Sequence, residues 1–376
     1  MDVAPAKALT LVMSNNRFDA DVIISGGGLV GQTLALALDQ AGVSVIVVDA
    51  AKPSETLAES FDGRAFAIAF ASYRMWRALG LGDALDAVAQ PIEQIMVTDG
   101  KLGQGARRGG PSLLHLHFDR AELDREPSSS QGASEDAWSE PLGLMLEARH
   151  VRMALDSGVR ARPSVRMIQP MSVTAIERDE VSATATLANG QRLRAPLLVG
   201  ADGRRSFVRG ALGIRTIGWD YPVTAIVATI QHEKPHDAVA HEFFLPNGPF
   251  AILPLKGERA NIVWAEPRAA AEVLLKMPER DFLEELRRRF GDFLGELALE
   301  GPRFGYPLSL QLAERMIDAR VALAGDSAHG IHPLAGQGLN LGLKDCAALA
   351  ECVADAMALG LDPGDVSALE RYQRWR

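Results

Sequence analysis

The sequence has little cysteine, no excess of positive charge and no long hydrophobic run. Only two of its 376 residues are cysteines, Cys346 and Cys352, and their spacing in a helix-like segment turns them to different faces. This arrangement favours neither a disulfide framework nor a zinc site, and it suits a reducing compartment such as the cytoplasm. The formal net charge of −9 at pH 7 disfavours nonspecific binding to nucleic acid.

A membrane-spanning segment and a secretory signal are also lacking. The longest uncharged stretch near the start, Val22–Leu38, contains four glycines, a glutamine and a threonine, a composition unsuited to a membrane span. Residues 1–17 have no continuous apolar core and are predicted to form a disordered leader. We therefore expect a soluble protein.

The overall composition is that of a globular protein. Hydrophobic residues make up 47% of the chain and charged residues 23%, so the chain can bury a large core. A length of 376 residues predicts two domains or one large domain, since domains of about 150 residues are typical.

The first segment that indicates a function is a glycine-rich loop between a strand and a helix. Asp21–Ile24 is predicted to be a short buried strand, and it leads into the pattern G-x-G-x-x-G and then the helical stretch Gln32–Gln40. In this context Gly26 permits the tight turn, Gly28 lets a pyrophosphate approach the backbone, and Gly31 allows close packing of helix on strand. The N-terminus of such a helix attracts an anion through its free amides and its dipole.

A second strand strengthens this prediction. Val43–Val48 ends in Asp49, eighteen residues after Gly31, where a carboxylate can accept hydrogen bonds from an adenosine ribose. The order of strand, glycine loop, helix, strand and acid therefore predicts a dinucleotide site. These residues alone do not distinguish NAD from FAD.

Two later strands end in short acidic motifs. Leu197–Gly203 ends in Asp-Gly, a pair that by itself is only typical of a turn. Val321–Asp326 ends in Gly-Asp, and the carboxyl end of a strand is where an α/β sheet binds its ligand. A long helix is predicted from about Leu339 to Met357. Gly336 and Gly338 at its start leave backbone amides open to an anionic or carbonyl group, as a reduced isoalloxazine ring would supply.

In this order the three motifs resemble those of the single-component FAD-dependent aromatic hydroxylases typified by p-hydroxybenzoate hydroxylase. Further segments are similar to the ubiquinone-biosynthesis hydroxylases in particular, and the resemblance runs from about Asp19 to the end of the sequence. These segments are Asp62–Ala65, Pro141–Gly143 with Arg149 and His150, Asn247–Leu255, and Gly336–Asp345.

The resemblance implies which residues hold the cofactor FAD. It assigns the pyrophosphate to Gly26, Gly28 and Gly31, the adenosine ribose to Asp49, the phosphate and ribityl region to Arg64 and Arg149, and a ribityl hydroxyl to Asp326, which follows Gly325. Asp202 and Gly203 are similar to the motif that contributes to both FAD and NAD(P)H binding in that family. The isoalloxazine ring would be bordered by Pro333, Gly336, Gln337, Gly338, Leu339 and Asn340.

The resemblance also implies an α/β fold, in which a Rossmann-like FAD-binding domain of the p-hydroxybenzoate hydroxylase type carries an inserted α+β substrate domain with an antiparallel sheet. The FAD-binding domain is expected over residues 18–90, 143–214 and 303–376, and the substrate domain over residues 91–142 and 215–302. The sequence itself predicts strands, a charged helix and two mobile loops in this region. The strands are Ile226–Ile230, His241–Phe244, Phe250–Leu255 and Ala260–Trp264, the helix is Arg280–Phe290, and the loops are Gly100–Pro111 and Arg125–Pro141.

By this resemblance the protein is an FAD-dependent monooxygenase. It would hydroxylate the ring of a polyprenylated phenol in ubiquinone biosynthesis with NAD(P)H and O2, through a flavin C4a-hydroperoxide. Most of that chemistry belongs to the cofactor, so no side chain is assigned a catalytic role. A greasy substrate implies peripheral contact with the inner face of the membrane, or a complex of biosynthetic proteins, at most.

Several other interpretations are less well supported. The pairs His115/His117 and His329/His332 have no acidic or thiol neighbour that clearly completes a metal site, so no metal is expected. Three other classes stay open: a flavoprotein hydroxylase of a soluble aromatic compound, an NAD dehydrogenase without flavin, and a non-enzymatic flavoprotein-like subunit of a biosynthetic assembly. The presence of all three motifs argues against the last class, because a scaffold needs none of them.

Overall fold

The computed structural model describes five stretches of the chain, residues 18–57, 63–99, 115–123, 140–332 and 336–376. The predicted disordered leader lies outside these stretches, as do Pro333, the predicted loop Gly100–Pro111 and most of the loop Arg125–Pro141. Within the described stretches the chain forms four β-sheets and eleven α-helices.

A six-stranded sheet contains the strands of all three motifs. Its four central strands are buried along their whole length, as expected where parallel strands have both faces covered. The pairings from β19 (Val321–Leu323) to β8 (Val165–Ile168) are parallel, so the carboxyl ends of these strands lie at the same edge. In spatial order the strands are β18 (Ile317–Asp318), β19 (Val321–Leu323), β12 (Leu197–Gly200), β1 (Val22–Ser25), β2 (Val45–Val48) and β8 (Val165–Ile168).

Long helices pack beside this sheet and against one another. Helix α1 (Leu29–Gln40) contacts α6 (Ala148–Arg160) and α10 (Gln337–Ala358), and α10 contacts α11 (Val366–Trp375). The packing of α1 on α10 is close, because a Cβ atom at Gly342 would lie 2.7 Å from Cγ2 of Val30. The shorter helices are α2 (Pro53–Thr56), α3 (Phe70–Trp76), α4 (Gly82–Asp86), α5 (Arg120–Leu123) and α7 (Phe207–Ala211), with a π-helical turn at Arg77–Leu81 and a 3-10 turn at Gly325–Ser327.

Two three-stranded antiparallel sheets complete this part of the molecule. The first consists of β11 (Arg192–Ala195), β10 (Ala183–Leu187) and β9 (Val173–Arg178). The second, in the order β3 (Ala65–Ala69), β7 (Gly143–Glu147) and β4 (Gln90–Ile92), contributes to two apolar cores. Ile68, Leu144 and Leu146 belong to the large core around the six-stranded sheet, whereas Ala65, Ala67 and Met145 pack toward the eight-stranded sheet.

The eight-stranded sheet has one face covered by helices and one face turned toward β3. On the first face Phe243, Phe250 and Trp264 pack with side chains of α8 (Arg268–Lys276) and α9 (Glu279–Phe290). We call this the back face and the opposite one, which includes Ala240 and Leu253, the front face. In spatial order the strands are β20 (His329–Gly330), β17 (Leu297–Ala313), β13 (Thr216–His232), β16 (Arg259–Pro267), β15 (Gly248–Leu255), β14 (Val239–Leu245), β5 (Gln94–Asp99) and β6 (His115–Asp119).

The four strands and the charged helix predicted from the sequence are confirmed, and the sheet is larger than predicted. Strand β13 extends from Thr216 to His232, well beyond the predicted Ile226–Ile230. Strand β17 was not predicted from the sequence, because two glycines and two prolines interrupt its apolar alternation. Pairing with β13 along most of its length nevertheless holds β17 in the sheet.

The two faces of β14 give a direct test of this architecture. Phe243 on the back face is 3% exposed, whereas its neighbour Phe244 on the front face is 44% exposed. Phe243→Ala is expected to lower the free energy of unfolding by about 3–5 kcal/mol, because it opens a cavity in a packed aromatic layer. Phe244→Ala is expected to cost less than about 1 kcal/mol. Guanidinium unfolding measures both, and equal losses would contradict the assignment of the faces.

Candidate functional site

The glycine loop between β1 and α1 is packed tightly at two positions and open at the third. Gly26 has a φ of +109°, and a Cβ atom there would lie 2.3 Å from the carbonyl oxygen of Ala201. A Cβ at Gly31 would lie 1.9 Å from the carbonyl oxygen of Gly26. A Cβ at Gly28, by contrast, would meet no heavy atom within 4 Å. Gly28 begins α1 without a capping side chain, so the first amides of the helix stay available to a ligand.

Asp49 lies directly beside this loop. The backbone amide of Gly27 donates a short hydrogen bond to one of its carboxylate oxygens, and the amide of Ala51 donates to the other at 2.7 Å. The end of β2 is therefore tied to the glycine loop, which places the carboxylate at the predicted adenosine position. The contact of Asp49 with a ribose stays a prediction.

Asp202 has a role in the fold that the sequence analysis did not predict. The hydroxyl of Ser206 donates to Oδ1 of Asp202 at 2.5 Å, and the amide of Val208 donates to Oδ2 at 3.0 Å. Asp202 thus holds the start of α7. Gly203 has a φ of +78° and would offer open space to a Cβ atom. The backbone at Gly203 is therefore the part of this motif that is free to approach a ligand.

Gly325 and Asp326 lie against the N-terminal part of α1. Gly325 has a φ of +65°, and a Cβ atom there would lie 3.0 Å from Cγ2 of Val30. Asp326 follows it in the 3-10 turn and is exposed. Desolvation by the surrounding protein raises the pKa of Asp326 above its usual value. A hydroxyl ligand would supply the hydrogen bonds that favour the ionised form.

A buried carboxylate, Asp345 of α10, supports this turn. Its Oδ2 accepts a hydrogen bond of 2.7 Å from the amide of Gly325 and lies 2.6 Å from Nε2 of His329, while its Oδ1 accepts one of 2.6 Å from Nε of Arg376. Burial by itself lowers the pKa of His329, but the hydrogen bond and the charge of Asp345 outweigh it and raise that pKa above its usual value.

No role was predicted for Asp345 from the sequence, although its position on an apolar helix face indicates one. On a helix, Asp345 shares one side with Gly342, Leu349 and Cys352, all of which are buried. A carboxylate on an apolar helix face requires partners, and here they are Gly325 of the Gly-Asp turn, His329 and Arg376.

The start of α10 is fastened to strand β3. The buried side chain of Asn340 accepts a hydrogen bond of 2.9 Å from the amide of Ala69 and donates one of 2.8 Å to the carbonyl of Ala67. Gly336 has a φ of +62°, and a Cβ atom there would lie 3.2 Å from Cβ of Ala67. Between these residues Gln337 is exposed, Gly338 has open space in front of it, and Leu339 packs on the large core.

Arg64 and Arg149 are brought together where β3 begins and β7 ends. The amide of Ala148 donates to the carbonyl of Arg64 at 2.9 Å, which places the two arginines on adjacent chain segments. The Arg64 side chain is exposed, and Nε of Arg149 lies 3.7 Å from a carboxylate oxygen of Glu147. Both guanidinium groups are thus near the surface at one end of the site, as a phosphate contact would require.

The histidine pairs considered as metal ligands have other partners. His329 is bound to Asp345, and the ring of His332 lies 5.3 Å from that of Tyr221. Nε2 of His117 lies 3.1 Å from the side-chain oxygen of Gln94. Within the described residues no group of three or more His, Cys, Asp or Glu side chains is placed to hold a metal ion.

Contacts between the motifs bring them together in the fold. Gly26 touches the backbone of Ala201 and Asp202, Gly325 touches Val30, and Asn340 binds β3, whose first residue follows Arg64. The open helix N-terminus, the adjacent Asp49 and the space in front of Gly28 and Gly338 fit a long dinucleotide that ends in a flat ring. The residues present therefore suit FAD.

Comparisons with known proteins agree with this geometry. The FAD binding domain family matches residues 19–376. Ubiquinone hydroxylase UbiL of Rhodospirillum rubrum is 47% identical over 359 residues, which cover 95% of this chain and 77% of that protein. 3-Demethoxyubiquinol 3-hydroxylase of Escherichia coli is 32% identical over 358 residues, covering 95% and 85%. The crystal structure of p-nitrophenol 4-monooxygenase PnpA of Pseudomonas putida aligns with a TM-score of 0.74 at 23% identity, covering 94% and 83%. The expected fold class is confirmed.

Substitution by alanine is expected to have different effects at Gly28, which has open space in front of it, and at Gly31, which is tightly packed. Gly28→Ala is expected to weaken FAD binding about tenfold or more, a loss of ~1.4 kcal/mol, because the methyl group enters the space in front of the α1 amides. The unfolding temperature without FAD should stay nearly unchanged. Gly31→Ala is the matched control, and its backbone clash should destabilise the protein by about 1–3 kcal/mol. Titration of the apoprotein with FAD and thermal unfolding separate the two effects. Unchanged FAD affinity in Gly28→Ala would contradict the assignment.

His329 and His332 predict opposite dependences of stability on pH. The pKa of His329 is raised in the folded state, so its contribution to stability is full below about pH 6.5 and is lost as the pH rises through the folded value. His329→Gln should therefore destabilise the protein more at pH 5.5 than at pH 9.

The control is His332, whose pKa is lowered by burial, so that its protonation opposes folding at low pH. His332→Gln should be relatively more stable at pH 5.5 than at pH 9. Urea midpoints across this range measure both variants, and the same sign for both would contradict the network around Asp345.

Proposed function

The chain belongs to the FAD-binding family of ubiquinone-biosynthesis hydroxylases, and from this premise we propose that it hydroxylates the ring of a polyprenylated phenol, with NAD(P)H and O2 as co-substrates. The observation that carries the proposal is the convergence of the three motifs at one edge of the parallel sheet, beside strand β3, which packs toward the front face of the eight-stranded sheet. A site between two sheets can hold a cofactor on one side and an aromatic ring on the other.

In this proposal the chain's own residues bind and orient FAD. The amides at Gly28 hold the pyrophosphate, Asp49 the adenosine ribose, and Asp326 a ribityl hydroxyl. The arginines Arg64 and Arg149 lie at the phosphate and ribityl region. The hydrogen bonds of Asn340 with Ala67 and Ala69 keep the first amides of α10 beside β3, where they would border the flavin ring. Pro333, which lies outside the described residues, would border the same ring.

FAD, when bound, supplies the redox chemistry that takes electrons from NAD(P)H and activates O2. The protein then has to bind the ring, hold the reacting carbon in place and exclude water. The apolar cluster that contains Ala240, Met145 and Leu253 would close one side of the site. We place the substrate ring beyond these contacts, against the front face.

The front face also has apolar surface for a prenyl chain. Leu116 and Phe118 of β6 and Phe244 of β14 are large apolar side chains of that face, each exposed by 44–64%, and β5 lies between their two strands. Exposed apolar surface of this kind marks a binding site for an apolar group. This surface favours a prenylated phenol over the soluble aromatic compound of the alternative hypothesis.

The division into an FAD-binding domain and an inserted substrate domain follows the same arrangement. We propose the boundaries expected from the sequence, with 18–90, 143–214 and 303–376 as the FAD-binding part. Two polar contacts would join this part to the substrate domain. The side-chain amide of Asn261 donates to the carbonyl of Gly63 at 2.9 Å, and Nη1 of Arg259 lies 2.9 Å from a carboxylate oxygen of Glu147.

A membrane-bound substrate would require peripheral contact with the inner face of the membrane. In the described stretches, no helix combines the length and the apolarity needed to cross a bilayer. Exposed Ile217 and Leu312 pair across β13 and β17, and Trp219 follows on the same face. We propose that these side chains touch the membrane surface.

The function is tested by the quinone content of cells that lack the gene. Deletion is expected to abolish or strongly reduce ubiquinone and to cause accumulation of an under-hydroxylated polyprenylphenol, whose mass identifies the missing oxygen. Mass spectrometry of lipid extracts measures both, and complementation with the intact gene is the control. Unchanged ubiquinone without an accumulating intermediate, in cells with no second hydroxylase of this family, would favour a soluble aromatic substrate instead.

A further inference from the structure

Glu242 places a carboxylate among apolar side chains on the front face of the eight-stranded sheet. Strand alternation turns Ala240, Glu242 and Phe244 to the front, while His241 and Phe243 pack on the back with Phe293 and Phe250. Glu242 is therefore directed to the side of the sheet that faces β3 and the start of α10.

The register shows how apolar its surroundings are. Glu242 is paired with Val97 on β5 and with Ala251 on β15. The same row continues outward on both sides through apolar residues, which are Leu116 on β6, Val263 on β16, Val227 on β13 and Phe304 on β17. Across seven strands Glu242 is the only charged residue in this row.

The neighbouring row places Glu242 beside the proposed site. Ala240 and Leu253 lie in that row and belong to one apolar cluster with Ala65 and Ala67 of β3. Further along the same row, Asn261 binds the carbonyl of Gly63. Since Asn340 binds Ala67 and Ala69 of the same strand, β3 separates this row from the first turn of α10. Glu242 thus lies one row beyond this apolar cluster, on the side of the sheet where the substrate ring is proposed to bind.

Within the described residues Glu242 has neither a hydrogen bond nor an ion pair to compensate its burial. Desolvation accordingly raises its pKa to about 7. Glu242 is half-buried among apolar side chains, and a ligand with a hydroxyl group that displaced its remaining water would supply a hydrogen-bond donor to the carboxylate. The substrate class proposed above carries one, its phenolic hydroxyl.

On the basis of the proposed function, we propose that Glu242 is the catalytic base that accepts the proton of the substrate's phenolic hydroxyl. The O–H bond of the phenol breaks and an O–H bond to the Glu242 carboxylate forms, so the negative charge passes from the carboxylate to the phenol oxygen. The electron pair left on that oxygen is delocalised into the ring and increases the electron density at the ortho and para carbons. An electron-rich ring carbon is what the oxygen transfer needs.

Other ionisable groups near Glu242 are few and differ in their behaviour. On the front face Arg259 forms ion pairs with Glu147 and Glu300, and it lies four residues along β16 from the residue of that strand in the Glu242 row. Two tyrosines follow on the next strands, Tyr221 near the start of β13 and Tyr306 on β17. The backbone of Asp99 is paired with Phe244. The residues of β3, β4 and β7 that pack on this face, Ala65, Ala67, Ile92 and Met145, have no ionisable group. Behind the strand, His241 has a pKa lowered by burial to about 4, so it does not titrate near pH 7.

The test uses the full chain loaded with FAD and ortho-geranylphenol as probe, in the wild type and in Glu242→Gln, Glu242→Asp and Glu272→Gln. Glu272 is an exposed residue of α8 and is the control for the chemical change. In the wild type the rate of hydroxylation, measured as product by mass spectrometry, should rise as the pH passes about 7. Glu242→Gln should lose about 100-fold or more of the rate at pH 8 together with this pH dependence. Glu242→Asp should restore part of both, and Glu272→Gln should match the wild type.

Two further measurements do not depend on turnover. Binding of ortho-geranylphenol to the wild type should tighten between pH 6 and pH 8, because the ionised carboxylate accepts the stronger hydrogen bond, and Glu242→Gln should bind with the same affinity throughout. A raised pKa in an acid means that folding opposes its ionisation, so stability is lost as the pH rises toward about 7. Glu242→Gln should therefore have a higher unfolding midpoint than the wild type at pH 8 and the same midpoint as the wild type at pH 4.

Each result decides a different point. Hydroxylation by Glu242→Gln at the wild-type rate, or with the wild-type pH dependence, would overturn the role of Glu242 and leave the proposed function intact. Failure of the wild type to hydroxylate the probe, with pH-dependent binding that Glu242→Gln abolishes, would overturn the proposed function and keep Glu242 as the contact of the phenol. Absence of both turnover and pH-dependent binding would overturn both proposals.

Discussion

The contact of α1 with the strand that precedes it is the constraint on which the candidate site depends. A Cβ atom at Gly31 would overlap the carbonyl oxygen of Gly26, so helix and loop approach more closely than any other residue permits. This approach aims the first amides of α1 past Gly28 at the edge of the parallel sheet. Asp49 binds the same loop and the Gly325 turn packs on Val30 of α1, so this backbone contact positions the parts of the proposed FAD site.

Buried polar groups connect this loop to the rest of the molecule. Asp345 receives the amide of Gly325 and the ring of His329, so the Gly-Asp turn is held by α10 as well as by its own strand. Asn340, five residues earlier, binds both the amide of Ala69 and the carbonyl of Ala67. The two side chains satisfy backbone groups that would otherwise be buried without partners, and they orient α10 with respect to β3.

The eight-stranded sheet serves stability on one face and recognition on the other. Its back face is a packed aromatic layer under α8 and α9, and its front face combines apolar side chains with Glu242. The layer of Phe243, Phe250 and Trp264 makes the strands rigid, so a carboxylate in an apolar row can be kept in place at a cost to stability. A cost of this kind is expected at functional sites, where a ligand supplies the hydrogen-bond donor that the protein lacks.

Local spacing and periodicity in the sequence were enough to predict the glycine loop, the second strand ending in Asp49 and the four central strands of the eight-stranded sheet. The resemblance implied the fold class and the FAD-binding residues, since three motifs occurred in a fixed order. Long-range packing alone reveals that Asp202 holds a helix, that Asp345 supports the Gly-Asp turn, and that β17 is one long strand despite its glycines and prolines. It also decided the surroundings of Glu242. These features depend on pairing between segments far apart in the chain, and neither the register of a strand nor the partner of a buried carboxylate is encoded in local pattern.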